Sequence, residues 1–217
     1  MATQRLPIGV QSFEKMIRER YNYVDKTQYI VQLLRNQVYF LSRPRRFGKS
    51  LFLSTLAAYF RGQKELFKGL YLEKAEEELA RQEKREAWLE YPVLYLDFNS
   101  ECYAHISDLE NSLNTHLVAW EKLYGKESSE GTYPSRFKGI IQRAYEKTQR
   151  QVVILVDEYD KPLLDTLNRS ELNEPYRDLL RGFYSVIKSS DPYLRFAFLT
   201  GVTKSSKMSI YSGLNNL

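Results

Sequence analysis

Cysteine and histidine are scarce in this sequence, and their scarcity excludes several kinds of chemistry. Among 217 residues there are one cysteine, Cys102, and two histidines, His105 and His116. A single cysteine excludes a disulfide within the chain, and the three residues together cannot supply the ligand set of a structural zinc site. We expect both histidines on helix surfaces. A chain without disulfides suits a reducing compartment, so we predict a cytoplasmic protein.

Long apolar runs are missing as well, and so is a strong excess of one charge. No run approaches the roughly 20 apolar residues that a membrane-spanning helix needs. The first seven residues lack the apolar region of a secretory signal, so we expect no membrane association. The chain carries 32 basic and 27 acidic residues, a formal net charge of +5. This mild excess permits a nucleic-acid partner without requiring one.

Four short apolar runs are present, and they alternate with amphipathic helical patterns. The runs cover residues 38–41, 91–98, 152–156 and 194–199. The third run is continuous and rich in β-branched residues, which is typical of a strand buried on both faces of a parallel sheet. The alternation predicts an α/β fold, a mainly parallel sheet with helices on both faces. We expect one domain over 1–217, with lead-in helices in 1–37 and the α/β core in 38–217.

The first run ends in a basic turn followed by Gly48, Lys49 and Ser50, and then by a helical pattern. This order suits a phosphate, because free N–H groups and the helix dipole at a helix start favour an anion. Lys49 can reach the β and γ oxygens, and the Ser50 hydroxyl can ligate Mg²⁺. The P-loop pattern G-x-x-x-x-G-K-[ST] has glycine where this chain has Arg43, and Pro44 restricts the turn further. The loop could open differently, its arginines could contact phosphate, or the segment could be an ordinary basic surface turn.

The third run ends in two carboxylates, Asp157 and Glu158. An apolar strand ending in Asp-Glu is the Walker B pattern, in which Asp157 would hold Mg²⁺ and Glu158 would orient or deprotonate the attacking water. Acidic pairs are also common in ordinary turns. The carboxyl ends of parallel strands meet at one edge of the sheet, so this pair and Lys49 can converge. The combination is more specific than either segment alone.

Other polar residues have two readings each. Thr200 and Thr203 follow the fourth run and could contact the γ-phosphate or the attacking water, or could cap a turn. Arg177 and Arg181 could act as an arginine finger on a neighbouring subunit, or could form a surface salt-bridge face. Asp160 precedes Lys-Pro and is predicted to cap the helix that follows.

Aromatic residues before the phosphate loop are candidates for a base-stacking site. Phe13, Tyr21 and Tyr23 could stack on a nucleobase, or could simply belong to the core.

Far along the chain, the polar segment 125–134 is the best candidate for a mobile loop.

Several of these segments together resemble the bacterial AAA-ATPase-like family. The resemblance rests on LPIGVQSF (6–13), YVDKT (23–27), FLSRPRRFGKSL (40–51) and VDEYDKP (156–162), and it extends to the C terminus. It implies that Arg43 in place of the first P-loop glycine is a feature of the family. Family members often continue into a PD-(D/E)XK nuclease-like domain. The resemblance therefore leads us to expect an isolated ATPase part, with the fifth strand and any lid of the P-loop NTPase-like fold missing.

These observations favour a Mg²⁺-dependent, ATP-binding P-loop ATPase domain whose turnover drives a conformational switch of a larger protein. The expected catalytic residues are Lys49, Glu158 and Thr203, the expected metal ligands are Ser50 and Asp157, and the expected nucleotide-binding residues are Arg45, Arg46, Phe47, Gly48, Lys49, Ser50 and Leu51. One alternative is a binding module for nucleic acid or a protein partner that uses nucleotide only as a switch, or not at all. A second is a P-loop phosphotransferase, with 125–134 as its lid. The chain could also act as a homo-oligomer.

Overall fold

The computed structural model describes residues 5–99 and 101–203, which form four β-strands and eight α-helices. The strands are β1 (Val38–Ser42), β2 (Val93–Asp97), β3 (Val152–Asp157) and β4 (Leu194–Gly201). The helices are α1 (Phe13–Arg18), α2 (Gln28–Leu33), α3 (Lys49–Phe60), α4 (Tyr71–Gln82), α5 (Ile106–Tyr124), α6 (Tyr133–Thr148), α7 (Lys161–Asp165) and α8 (Ser170–Ser189). The expectation about a fifth strand concerns residues outside this described part.

The strands form one parallel sheet in the order β1-β4-β3-β2. In the central pairing Leu155 of β3 lies opposite Phe198 of β4, and Phe198 lies opposite Tyr39 of β1. Because every pairing is parallel, the carboxyl ends of all four strands lie at the same edge. The structure confirms the predicted parallel α/β sheet. Among the described residues, β1 and β2 are its two edge strands.

Helices cover both faces of the sheet, so there are two apolar cores. Side chains alternate along β3, and Leu155 therefore faces one core while Ile154 faces the other. The first core contains residues from α1, α2, α3 and α4, and the second contains residues from α5, α6, α7 and α8. All six residues of β3 are buried, as a strand covered on both faces requires. Among the described residues, no helix combines the length and the apolarity needed to cross a bilayer.

The segment before α1 is tied to α3, the helix that follows the phosphate loop. The Ser54 hydroxyl donates to the Gln11 carbonyl at 2.9 Å and accepts the Phe13 N–H at 2.9 Å. Phe13 is fully buried in the first core, beside α3. This link places residues just before α1 next to the start of α3.

The polar segment predicted as a mobile loop is anchored to α6 in the structure. Arg143 donates to the Gly125 carbonyl at 2.9 Å and forms an ion pair with the Glu130 carboxylate at 2.5 Å. The Thr132 hydroxyl accepts the Ser135 N–H and caps the start of α6. These three anchors argue against a free lid in this part of the chain.

Helix α4 is charge-dense, but one of its carboxylates faces inward. Glu76 is 1% exposed and accepts hydrogen bonds from the Tyr59 hydroxyl at 2.7 Å and from the backbone N–H of Trp88 at 3.0 Å. Its charge is balanced by Arg85 at 2.6 Å. Burial, and then the neighbouring Glu76 carboxylate, raise the pKa of Tyr59 well above its ordinary value. Tyr59 is therefore a neutral donor that links α3 to α4.

Replacing Tyr59 by phenylalanine should destabilise the fold by about 1.5–3 kcal/mol, since a buried carboxylate loses one hydrogen-bond donor. Urea unfolding followed by circular dichroism measures this loss. Tyr71→Phe is the matched control, because Tyr71 is 56% exposed and its change should leave the unfolding midpoint in place. Equal midpoints for Tyr59→Phe and the wild type would contradict the structural role given to this contact.

Candidate functional site

The loop between β1 and α3 adopts left-handed backbone angles at two positions. They are Arg46, with φ of 68°, and Gly48, with φ of 76°. Gly48 is the residue preceding α3, and a Cβ there would meet no atom within 4 Å, so its backbone angle rather than space favours glycine. Successive N–H groups in such turns form concavities that bind anions, and the start of α3 adds its free N–H groups.

Lys49 is the first residue of α3, and its ammonium group is held inside the loop. Its side chain is 4% exposed. The Nζ atom lies 3.1 Å from the Arg43 carbonyl oxygen and 3.3 Å from that of Pro44. It also lies 3.0 Å from a carboxylate oxygen of Glu158. The structure thus brings together the two segments that the parallel topology predicts to converge.

Glu158 follows β3 directly and combines a left-handed backbone with a mostly buried side chain. Its φ is 51° and its side chain is 12% exposed. Burial raises the pKa of Glu158, the Lys49 ammonium opposes that rise, and the carboxylates of Asp157 and Asp160 add to it. A carboxylate whose pKa is shifted toward neutrality is a better proton acceptor than an ordinary glutamate. The site therefore contains a general-base candidate in contact with a lysine.

Asp157 and Thr200 lie side by side on neighbouring strands. Asp157, the last residue of β3, is 2% exposed, and the Thr200 hydroxyl of β4 donates to it at 2.5 Å. The same hydroxyl accepts the Glu158 N–H at 3.4 Å. Thr200 is on β4, the strand between β1, which leads into the phosphate loop, and β3, which leads into the two carboxylates. It positions Asp157 and the backbone of Glu158.

Asp160 does not cap α7, contrary to the prediction. Asp160 is the residue directly before that helix, but its side chain makes no capping hydrogen bond. Its carboxylate instead accepts the N–H of Val202 at 2.9 Å and the N–H of Thr203 at 2.6 Å, and Asp160 is fully buried. Three donors at the end of β4, including the Thr203 hydroxyl at 2.6 Å, outweigh one capping bond at a five-residue helix. Thr203, a predicted catalytic residue, is thus engaged by Asp160.

A cleft of about 460 Å³ opens over the start of α3, and we call it the loop cleft. Residues from both halves of the site line it, together with residues from the segment before α1. They include Arg45, Arg46, Ser50, Leu51, Asn99 and Glu158. Asn99 was not predicted as a site residue. The signal that could have found it is its place just after β2, the strand paired with β3, where its N–H also donates to Asp97.

The oxygen atoms near the loop cleft form a donor set that suits Mg²⁺. Ser50 contributes a half-buried hydroxyl, and Asp157 and Glu158 contribute carboxylates at the end of β3. Mg²⁺ prefers oxygen ligands and commonly takes only one or two carboxylates alongside substrate phosphates. Asp157 is 2% exposed and is not among the residues that line the loop cleft, whereas Ser50 and Glu158 are. Ser50, which lines the cleft, and Asp157, directly before Glu158, stay the predicted ligands of the ion.

Other predicted residues lie apart from this cleft. Arg177 donates to the Asn173 side chain at 3.0 Å, and Arg181 pairs with Asp178 at 3.1 Å on the same helix. The second pair matches the surface salt-bridge reading, and an arginine-finger role stays a prediction. Cys102 is a free, exposed thiol.

Two of the three aromatic residues predicted as stacking candidates belong to the packing of the first core. Phe13 is fully buried, and Tyr23 packs edge-on against it with ring centroids 5.3 Å apart. Tyr21 is half-buried. The core reading therefore describes Phe13 and Tyr23 better than the stacking reading.

Comparison with known proteins adds a family and one long relative. The family model described as "Predicted AAA-ATPase" matches residues 7–211. A protein of Azotobacter chroococcum mcd 1, described as "Uncharacterized protein in vnfD 5'region", is 46% identical over 221 residues. That alignment covers 100% of this chain and 41% of the relative, so the chain spans less than half of the relative's length. No solved structure matches the chain.

Proposed function

The chain belongs to the predicted AAA-ATPase family, and we propose that its P-loop NTPase-like fold binds Mg-ATP and hydrolyses it. The observation that carries this proposal is the contact between Lys49 and Glu158, 3.0 Å apart at the carboxyl edge of a parallel sheet. Phosphoryl-transfer sites combine a phosphate-binding lysine with a residue that orients or deprotonates the attacking water. Ligands of α/β sheets bind at this edge.

In this proposal the loop and the start of α3 hold the triphosphate. The backbone N–H groups of Arg45, Arg46, Phe47, Gly48, Lys49, Ser50 and Leu51 line the phosphate site. The Lys49 ammonium moves away from the carbonyl oxygens of Arg43 and Pro44 and pairs with the β- and γ-phosphate oxygens. The Arg45 and Arg46 side chains are exposed on the loop and can add further positive charge.

The carboxylates supply the remaining roles. Ser50 and Asp157 would hold Mg²⁺, whose charge offsets the negative charge on the transferring phosphoryl group. Glu158 accepts a proton from the water that attacks the γ-phosphorus, and ADP leaves with the broken phosphoanhydride oxygen. Thr200 keeps Asp157 in place. Because Thr203 is engaged by Asp160, Thr200 is the better candidate of the two threonines for a polar residue that supports the site.

Turnover in this proposal drives a conformational switch in a longer protein. The length of the Azotobacter relative supports a longer context, since the match covers 41% of it. The loop is also coupled to β4, because the Arg43 N–H donates to the Gly201 carbonyl at 3.1 Å. When phosphate draws Lys49 away from the Arg43 carbonyl, a movement of Arg43 would pass to the end of β4 through this hydrogen bond. We also propose that copies of the chain can associate into a homo-oligomer.

The basic loop supports a second candidate, a binding module for nucleic acid or an acidic protein surface. Arg43, Arg45 and Arg46 are all exposed on one short loop. Such binding would weaken steeply with salt and would be indifferent to ATP. A phosphotransferase receives less support, because the segment 125–134 that would serve as its lid is anchored to α6.

Phosphate release from Mg-ATP without any added acceptor tests the proposal and separates these candidates. The wild-type chain should release inorganic phosphate, and removal of Mg²⁺ by a chelator should stop the release. Nucleic-acid binding that is salt-sensitive and unchanged by ATP, together with no phosphate release, would favour the binding module. Transfer that occurs only with an added acceptor would favour the phosphotransferase.

A further inference from the structure

A second cleft adjoins the phosphate loop, and its walls differ from those of the loop cleft. It has a volume of about 630 Å³ and lies between α2, the loop and β1, which is an edge strand among the described residues; we call it the α2 cleft. Both clefts include Gly48 and Lys49. The loop cleft reaches Glu158, whereas the residues lining the α2 cleft do not include it. The phosphate loop therefore separates two neighbouring clefts of different chemistry.

Two exposed aromatic rings line the α2 cleft. Phe47 on the loop is 63% exposed, and Tyr29 on α2 is 46% exposed. Behind them lies an aromatic wall in which Tyr39 and Phe52 both pack against Phe198. Among the described residues only three phenylalanine, tyrosine or tryptophan side chains are exposed, and two of them, Tyr29 and Phe47, line this cleft. Exposed apolar rings that gather in one cleft are typical of a ligand site.

The direction of a bound nucleotide follows from where Glu158 lies. In the proposed function the γ-phosphate faces Glu158, which follows β3. The nucleoside end must then leave the loop on the side away from β3. In the sheet β4 separates β1 from β3, so the outer side of β1 is that side. The α2 cleft is located there and begins at Gly48 and Lys49, where the phosphates would end.

Resting on the proposed function, we propose that the α2 cleft binds the nucleobase of ATP, with Phe47 and Tyr29 as its stacking platforms. A planar base presents a π-face that stacks on aromatic rings. Gln32 and Lys26 also line the cleft and offer hydrogen-bonding groups to the edge of the base. The aromatic partners of the base are therefore on the loop and on α2, not among Phe13, Tyr21 and Tyr23.

Calorimetric titration with two probes, Mg-ATP and Mg-tripolyphosphate, tests this assignment. Phe47→Ala and Tyr29→Ala should each weaken Mg-ATP binding by about 5- to 150-fold, the range for loss of one base–aromatic stack. Neither should change the affinity for Mg-tripolyphosphate, which has no base. Phe47→Trp should restore ATP affinity. Tyr71→Ala, an equally exposed tyrosine on α4 outside both clefts, should leave both affinities unchanged.

The outcomes separate this assignment from the proposed function. Wild-type binding of neither probe would overturn the proposed function itself. Binding of both probes by the wild type, with ATP affinity unchanged in both alanine variants, would overturn the base assignment alone. Equal losses for ATP and tripolyphosphate would also overturn it, because they would mean that Phe47 and Tyr29 shape the phosphate loop. Both side chains are substantially exposed, so the variants should retain the fold.

Discussion

Replacement of Lys49 by methionine is expected to weaken Mg-ATP binding by about 30- to 5,000-fold. The ammonium is nearly buried and contacts Glu158 at 3.0 Å. In the proposed complex this ammonium pairs with phosphate oxygens, and the loss of one partner from such a desolvated charge pair costs about 2–5 kcal/mol, which gives this range. Methionine keeps most of the aliphatic stem, so it removes the charge with little change in packing. Alanine would remove both the charge and the aliphatic stem, so a loss of affinity could not be separated from a loss of stability.

Titration calorimetry with Mg-ATP measures this loss. Lys138→Met is the matched control, because Lys138 is exposed on α6, far along the chain from the loop, and its change should leave affinity unaltered. Circular dichroism of each variant checks that the fold is retained. A folded Lys49→Met variant that binds Mg-ATP as tightly as the wild type would remove Lys49 from the phosphate site.

Replacement of Glu158 by glutamine should leave Mg-ATP binding largely intact and slow hydrolysis by about 10²- to 10⁴-fold, the usual contribution of a general base. Glutamine has the same shape and can still accept a hydrogen bond from Lys49, but it cannot take a proton from water. Burial raises the pKa of the wild-type carboxyl. Only the ionised form of Glu158 accepts the proton, so the wild-type hydrolysis rate should fall as the pH is lowered. The midpoint of this fall should lie above the pKa of an ordinary glutamate side chain.

Single-turnover phosphate release, measured across pH, tests the role of Glu158. The matched control is Glu146→Gln, which changes an exposed glutamate of α6 and should hydrolyse ATP at the wild-type rate. Unchanged turnover in Glu158→Gln would exclude the base role. Loss of ATP binding in the same variant would instead make Glu158 a structural partner of Lys49.

The sequence predicted the sheet and the meeting of its two functional segments for a simple physical reason. The continuous apolar run of β3 needs cover on both faces, and helices between strands force parallel pairing. Parallel pairing then places every strand end at one edge, which brings Lys49 to Glu158. Local pattern and topology suffice for this conclusion, and no long-range contact has to be known beforehand.

Contacts between distant polar groups could not be predicted in the same way. Asp160 has the local pattern of a helix cap, yet its partners are Val202 and Thr203 on the chain leaving β4. Glu76 stands among many charges on α4, and only the packing of Tyr59 and Arg85 reveals that it is buried. Such pairings depend on tertiary packing, which periodicity does not encode.

The aromatic residues show the same limit on a smaller scale. Phe13 precedes the phosphate loop and was a candidate for base stacking, whereas Phe47 lies in the loop and was expected only among the residues that bind the nucleotide. Folding buries Phe13 completely against α3 and leaves Phe47 63% exposed in the α2 cleft. Exposure, which decides between a core residue and a ligand contact, is a property of the folded chain.

A crystal structure of the chain with Mg²⁺ and a non-hydrolysable ATP analogue tests the central claim most directly. We predict that the β- and γ-phosphates lie on the backbone of 45–50 with Lys49 Nζ in contact, and that the ion lies between Ser50 and Asp157. Glu158 should then face the γ-phosphate. An analogue bound elsewhere, or phosphates in this loop with Glu158 and Asp157 turned away from them, would contradict the account.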